Sequence, residues 1–336
     1  MNKVSAMNKV LLILLASAAA IAGTAALAQR ERLHAECRQE LIQLCRGTQG
    51  GFRQCLMTAL PKLSDPCRKA IGSRGGEAPA GAVEYSYGRD PRQRLDLVRL
   101  AASEHAPLLL FIHGGGWSIG DKRQSAAPKA EHFTAAGWAF GSVNYRLVPD
   151  VTVEQQAGDI AAAIGWARAH AAGQGLDPNR IVLMGHSAGS HLAALVGTDP
   201  RYLAAAGVPI SAIKGVVLLD GAGYDIAKQM SVSGNPVVAM YDAAFGHDPK
   251  RLAALSPTLH AAAPNVASWL ILPVVTRADS VAQSNGLASG LKAAGAKTMV
   301  VPVPDSSHMK LNRGLGAAGD FATGEVDRFL ASLASS

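Results

Sequence analysis

Ile181-Val182-Leu183-Met184-Gly185-His186-Ser187-Ala188-Gly189 is the stretch on which the reading of this 336-residue chain turns. Four consecutive apolar residues predict a buried strand, and the G-x-S-x-G that follows has the spacing of a sharp strand-to-helix turn. Glycines two positions either side of the serine admit a strained backbone and let neighbouring strands approach closely. The hydroxyl of Ser187 would then stand exposed at the head of a helix running from Ala188 to about Thr198, a candidate nucleophile. The pentapeptide also occurs in plain glycine-rich turns, so its surroundings decide what it means.

Those surroundings are informative. Leu108 to Ile112 is a second buried-strand pattern, and it runs straight into His113-Gly114-Gly115-Gly116-Trp117. Three glycines just past a strand free several backbone N–H groups to point at one spot, which is what a developing oxyanion needs. Gly114, Gly115 and the residue after the serine, Ala188, are the candidate oxyanion donors.

His113 to Trp117, the following Ser118-Ile119-Gly120-Asp121-Lys122, Asn144-Tyr145-Arg146-Leu147 and Gly185 to Gly189 together resemble the α/β-hydrolase superfamily. The likeness is greatest to the HGGG-type esterases and lipases, in the branch holding feruloyl-esterase-like enzymes, carboxylesterases and arylformamidases. It extends from about Val83 to the C-terminus. It implies a serine hydrolase acting on carboxylic esters through an acyl-enzyme, with a small-molecule ester as substrate and no metal or cofactor. Amide or formamide hydrolysis on the same machinery is the alternative, as is a non-catalytic binding protein built on the same fold.

A serine needs a base, and the base an orienting acid; in this superfamily the chain order is Ser, Asp or Glu, His. His308, in Asp305-Ser306-Ser307-His308-Met309, fits the base. Asp279 matches the family acid, although Thr276 stands where relatives often carry glycine; Asp220, ending the preceding strand, is the second choice. Asp159 precedes the nucleophile and reads as structural. His113 reads as a brace for the glycine loop and His186 as packing, while Trp117 either lines the acyl pocket or packs.

Along the rest of the chain, Val83 to Tyr87 and Leu95 to Leu100 alternate like an antiparallel hairpin. Strands are expected at Trp138–Asn144, Arg180–Met184, Ile213–Leu219, Trp269–Val275 and Thr298–Val303. Helices are expected near Ala126–Ala136, Val153–Ala171, Val281–Ala294 and Glu325–Leu333. This alternation predicts an α/β fold, a mainly parallel sheet with helices on both faces, whose site lies at the strand C-terminal ends. Gly221 to Ala267 has no clear strand and is apolar enough to wall a substrate site.

The N-terminal quarter differs in kind. Lys3 and Lys9 precede an apolar run from Val10, and Ala26-Leu27-Ala28 offers a small-x-small cleavage pattern, so residues 1–28 are expected to be a signal peptide, with a retained membrane anchor as the rival. All four cysteines, Cys37, Cys45, Cys55 and Cys67, follow within residues 29–72. An even cluster in an exported chain, periplasmic or secreted, predicts two disulfides; zinc is the alternative, but no C-x-x-C pair is present. Two helical stretches, Glu36–Leu44 and Phe52–Leu60, flank a glycine-rich turn, and positions facing each other across such a hairpin have nearly constant number sums. The nested pairing Cys37–Cys67 with Cys45–Cys55 satisfies this. The segment also resembles a cysteine-rich repeat of a Golgi glycoprotein, implying a stapled helical module without catalytic role. Residues 73–81 read as a linker, and 82–336 as the hydrolase domain.

Charge follows the same division. The net +7 comes from Lys3 and Lys9 plus nine Lys/Arg against four Asp/Glu in residues 29–74, so the remainder is neutral. A basic module of this kind suits an acidic envelope polymer or a membrane surface. With Phe52 its only aromatic residue, it is not expected to bind nucleic acid.

Overall fold

The computed structural model describes residues 35–45, 59, 62–64, 66–67, 76–101, 103–232, 238–262 and 264–334. The signal-peptide reading therefore lies outside the described residues, as does most of the second predicted N-terminal helix. Among the described residues no helix is long and apolar enough to cross a membrane. The chain divides between residues 71 and 72 into two compact units.

In the N-terminal unit, residues 35–45 form a helix whose Cys37 and Leu41 are buried. A disulfide joins Cys37 to Cys67, one of the two bonds expected, and Ser64 Oγ donates to the Glu40 carboxylate at 2.7 Å. The other expected bond reaches Cys55, outside the described residues. Cys37 and Cys67 are thus not zinc ligands.

The second unit is built on eight strands in the order β1-β2-β4-β3-β5-β6-β7-β8. β1 (Val83–Ser86) and β2 (Arg94–Val98) form the predicted antiparallel hairpin, and β2 also pairs antiparallel with β4 (Ala139–Val143). Every later pairing is parallel: β3 (Ala106–Ile112), β5 (Leu176–His186), β6 (Ile213–Leu219), β7 (Ser268–Leu272) and β8 (Lys297–Val300). Strands covered on both faces read as unbroken apolar runs, and Leu108–Ile112 of β3, Ile181–Met184 of β5 and Val216–Leu219 of β6 do so because crossover helices close over them.

Helix α1 (Ala127–Ala135) and α2 (Val153–Ala169) follow β3 and β4. α2 begins with a reciprocal capping box in which the Thr152 side chain and Gln155 satisfy each other's backbone amides. α3 (Ala188–Thr198) is buried along its whole length, which is why its composition is apolar all round rather than striped. Among the described residues, the region after β6 holds three short α-helices, α4 (Ile226–Met230), α5 (Val238–Phe245) and α6 (Pro249–Ala254), and a 3-10 turn at Pro257–His260, in keeping with its lack of a strand pattern. α7 (Ala278–Ala293), α8 (His308–Gly314) and α9 (Phe321–Ala334) complete the chain. α8 has no counterpart among the expected helices, since its seven residues are too few to show a helical period.

The turn from β5 into α3 shows why its glycines are glycines. A Cβ at Gly185 would lie 2.2 Å from the Gly189 carbonyl oxygen, and one at Gly189 would lie 2.1 Å from that of Ile112. Both contacts are with backbone, which cannot swing aside. Gly185→Ala is accordingly expected to destabilise the fold by at least about 2 kcal/mol, read as a lower urea midpoint. An unchanged midpoint would contradict this packing.

Candidate active site

Ser187 sits between β5 and α3 with φ 56° and ψ −121°, a conformation costly for any residue with a side chain. The turn is held on both sides: Ser187 N–H donates to Leu219 O at 3.0 Å, and Ser190 Oγ donates to Gly185 O at 2.7 Å. Strain is thus imposed by a rigid frame, and the serine is half-buried at the C-terminal edge of the sheet.

The glycine loop after β3 lies against this serine. A Cβ on Gly114 would be 2.9 Å from Ser187 Cβ and 2.8 Å from the His186 carbonyl oxygen, so only glycine lets the two loops meet. The loop's own turns use other amides: Ser118 and Ile119 N–H both donate to Gly115 O. Ala188, as first residue of α3, contributes one of the amides that a helix leaves without an internal partner. The glycine loop and the head of α3 thus both border the serine.

His113 braces this loop. Its Nδ1–H donates to Gly114 O at 2.7 Å, its ring stacks on Tyr145 at 4.4 Å, and Tyr145 Oη donates to His113 O at 2.9 Å. Burial holds the His113 imidazole neutral, down to about pKa 4. Trp117 packs and does not line an open pocket: it is 2% exposed, sits edge-on to Phe245 at 4.7 Å and Tyr241 at 5.1 Å, and donates Nε1–H to His191 Nδ1 at 3.3 Å. His191 Nε2–H in turn donates to Leu255 O at 2.8 Å, which fixes its tautomer. The same insertion brings Met240 onto the glycine loop, where a Cβ on Gly116 would meet its sulfur at 2.4 Å.

Burial also holds His191 down to about pKa 4. Unfolded imidazoles take a proton below about pH 6.5, while these two folded ones refuse it until about pH 4. The unfolded chain binds more protons between those values, so stability falls as pH drops through that window. The two histidines predict a loss of about 2 kcal/mol each between pH 6.5 and pH 5, measured as a falling urea midpoint. A midpoint that stays level or rises on acidification would refute the buried neutral state.

His308 opens α8, and its Nδ1 lies 2.7 Å from Asp220 Oδ2. A carboxylate at that distance requires the proton on Nδ1, leaving the Nε2 lone pair free. His186 steadies the residue from below: its ring is 4.5 Å from the His308 ring and its Nε2–H donates to His308 O at 3.0 Å. Burial, with His308 adding to it, keeps His186 neutral. Ser187 and His308 share no hydrogen bond in this structure among the described residues.

The carboxylate that meets His308 is Asp220, not Asp279, the first choice made on sequence. Asp279, in the first turn of α7, does not touch His308; its Oδ2 accepts from Arg277 Nη2 at 2.8 Å and from Gln229 Nε2 at 3.3 Å. Asp220, the second choice, holds the imidazole. It follows β6 with φ 47°, its N–H donates to Leu272 O at 2.9 Å, and its Oδ1 accepts Val274 N–H at 2.9 Å. Burial would raise its pKa, but the His308 hydrogen bond, the Arg277 charge and the Val274 amide together hold it well below the ordinary carboxylate range. A charged residue closing the apolar run Gly215–Leu219 was the available signal. Arg277 gave none, because only the fold brings its guanidinium to Asp220. Asp159 is structural as expected, held by Arg146 and Gln93.

This sheet order, the serine turn after the fifth strand and the histidine after the last define an α/β-hydrolase fold. The BD-FAE family model matches residues 95–242. Among curated proteins, the chain is similar to the probable carboxylic ester hydrolase LipM of Mycobacterium tuberculosis, 39% identical over 129 residues, which are 36% of this chain and 30% of LipM. It is also similar to esterase LipC of the same organism, 38% identical over 123 residues, 35% of this chain and 30% of that protein. The match thus spans less than a third of the length of either relative. Among solved structures, esterase B of Lactobacillus rhamnosis superposes with TM-score 0.65 at 22% identity, over 92% of this chain and 97% of that one. Thermogutta terrifontis esterase 2 phosphoramylated by tabun gives TM-score 0.62 at 24% identity, over 77% and 96%. These likenesses agree with the fold of the second unit.

Proposed function

We propose that this chain is a serine hydrolase of carboxylic esters, exported from the cell, in which Ser187 is the nucleophile, His308 the general base and Asp220 the orienting acid. One observation carries the reading. At a single edge of the sheet, a serine held in a strained turn meets a glycine backbone across a gap too small for a side chain, and the residue before it, His186, packs on an imidazole already oriented by a buried carboxylate. The esterase names of the relatives support the choice of ester.

In this mechanism, His308 Nε2 takes the Ser187 proton as Oγ bonds to the substrate carbonyl carbon, a contact that tightens once substrate is seated. The carbonyl π-electrons move to oxygen, which accepts from the amides of Gly114, Gly115 and Ala188, each worth about 2.7–4 kcal/mol in the transition state. Collapse expels the alkoxide, which takes the proton back from His308. Water, deprotonated by the same imidazole, then releases the acid and restores Ser187.

Covalent trapping tests this reading. A p-nitrophenyl alkylphosphonate added to the purified protein is expected to release one equivalent of p-nitrophenol and leave the phosphonyl group on the tryptic peptide holding Ser187. Modification of any other residue, or none, would rule it out.

A further inference from the structure

Arg277 stands between two carboxylates and against the imidazole. Its Nη1 donates to Asp220 Oδ2 at 2.9 Å and to Asp220 O at 3.2 Å, its Nη2 donates to Asp279 Oδ2 at 2.8 Å, and Nη1 is also 3.0 Å from His308 Nδ1. Nδ1 gives its proton to Asp220, so it has no lone pair to offer Arg277. The last contact is therefore a cation placed beside the ring that must become positive during catalysis.

Charge balance around the ring sets the role of each group. Asp220 with Arg277 alone would form a neutral pair, and a protonated His308 facing it would gain little electrostatic support. Asp279 adds the missing charge. Its carboxylate lies on the far side of the guanidinium, and the three groups together carry a net −1 next to His308. The arginine's grip is by N–H donation to both the carboxylate and the carbonyl of a residue held at positive φ, bonds that an uncharged amide such as glutamine can also donate.

We infer that Asp279 is a positioning residue of the esterase site, acting through Arg277: it balances the guanidinium, so that Arg277 can fix Asp220 without cancelling the charge that supports protonated His308. This rests on the assignment of Ser187, His308 and Asp220 proposed above. It also gives the aspartate at the family's usual acid position a role distinct from orienting the imidazole.

Four proteins test it on p-nitrophenyl acetate: the unsubstituted chain, Asp279→Asn, Asp279→Glu and the double variant R277Q/D279N. Asparagine keeps the shape and removes the charge, so kcat is expected to fall about tenfold with KM changed by less than about twofold. Glutamate keeps the charge and is expected to retain most of kcat. Removing the cation as well restores the balance, so the double variant is expected to be faster than Asp279→Asn. Each comparison can overturn the inference: Asp279→Asn as fast as the unsubstituted chain, Asp279→Glu losing as much as Asp279→Asn, or a double variant no faster than the single. If Asp279→Asn does not fold, the Asp279→Glu rate decides alone, a loss of tenfold or more refuting the charge role. Failure of the esterase reading looks different, because Ser187→Ala would then hydrolyse the ester as fast as the unsubstituted chain.

Discussion

Ser187→Ala is expected to lower kcat on p-nitrophenyl acetate by about 10⁴–10⁶-fold, leaving only the modest catalysis that oxyanion donors and binding supply. No neighbouring hydroxyl can replace it. Ser190, the nearest serine in sequence on α3, is fully buried and donates to Gly185 O and Leu219 O. The fold should survive, because the turn is held by backbone: the residue 187 amide to Leu219 O, and the carbonyl accepting from Ser190 N–H at 2.9 Å. Alanine is tolerated in the space the serine leaves, and the strain at φ 56° is common to both residues. The measurement is a steady-state rate beside a thermal melt. A large rate loss with an unchanged melt is the expected pair of results, and equal rates in the two proteins would dismiss the mechanism.

The parts of this molecule that are legible in its sequence are those whose physics is local. The run Ile181–Met184 ahead of Gly185 specifies strand and turn within a few residues, and α3 begins and ends at the predicted Ala188 and Thr198. β6 likewise spans the predicted Ile213–Leu219, its apolar run Val216–Leu219 closed by Asp220. The glycine loop is legible for the same reason. Which carboxylate meets His308 is not, since choosing between Asp220 and Asp279 requires knowing which of the two segments after β6 and β7 comes to the imidazole. That is a question of register between β6 and β7, where Leu219 pairs with Leu272, and no local pattern encodes it. Arg277 then takes the Asp279 carboxylate away from the imidazole. His186 reads as packing in the sequence and also donates to the His308 carbonyl, a bond across 122 residues of chain. Trp117 shows a further limit: the same tryptophan would suit a substrate pocket, and only the rings of Tyr241 and Phe245 from the insertion show that it is closed in.

Asp220→Asn should then produce the second large loss, about 10⁴-fold in kcat, the size expected when a base is held in the wrong tautomer. The carboxylate at 2.7 Å accepts the Nδ1 proton and leaves Nε2 open to Ser187. An asparagine amide turned toward the ring would instead donate to Nδ1, moving the proton to Nε2 and closing it to the serine. Its carbonyl could still accept Val274 N–H, and Arg277 would keep Asp279 and the residue 220 carbonyl as partners, but Arg277 Nη1 would lose its acceptor at Oδ2. The loss should therefore appear mainly in kcat, with stability lowered by about 1–3 kcal/mol. Comparison with Asp279→Asn, expected at about tenfold, makes the assignment decisive, because the two variants differ by some three orders of magnitude under this reading. If Asp279→Asn gave the larger loss and Asp220→Asn the smaller, the orienting acid would be the one at the head of α7. The His308–Asp220 contact would then describe a resting arrangement that substrate rearranges.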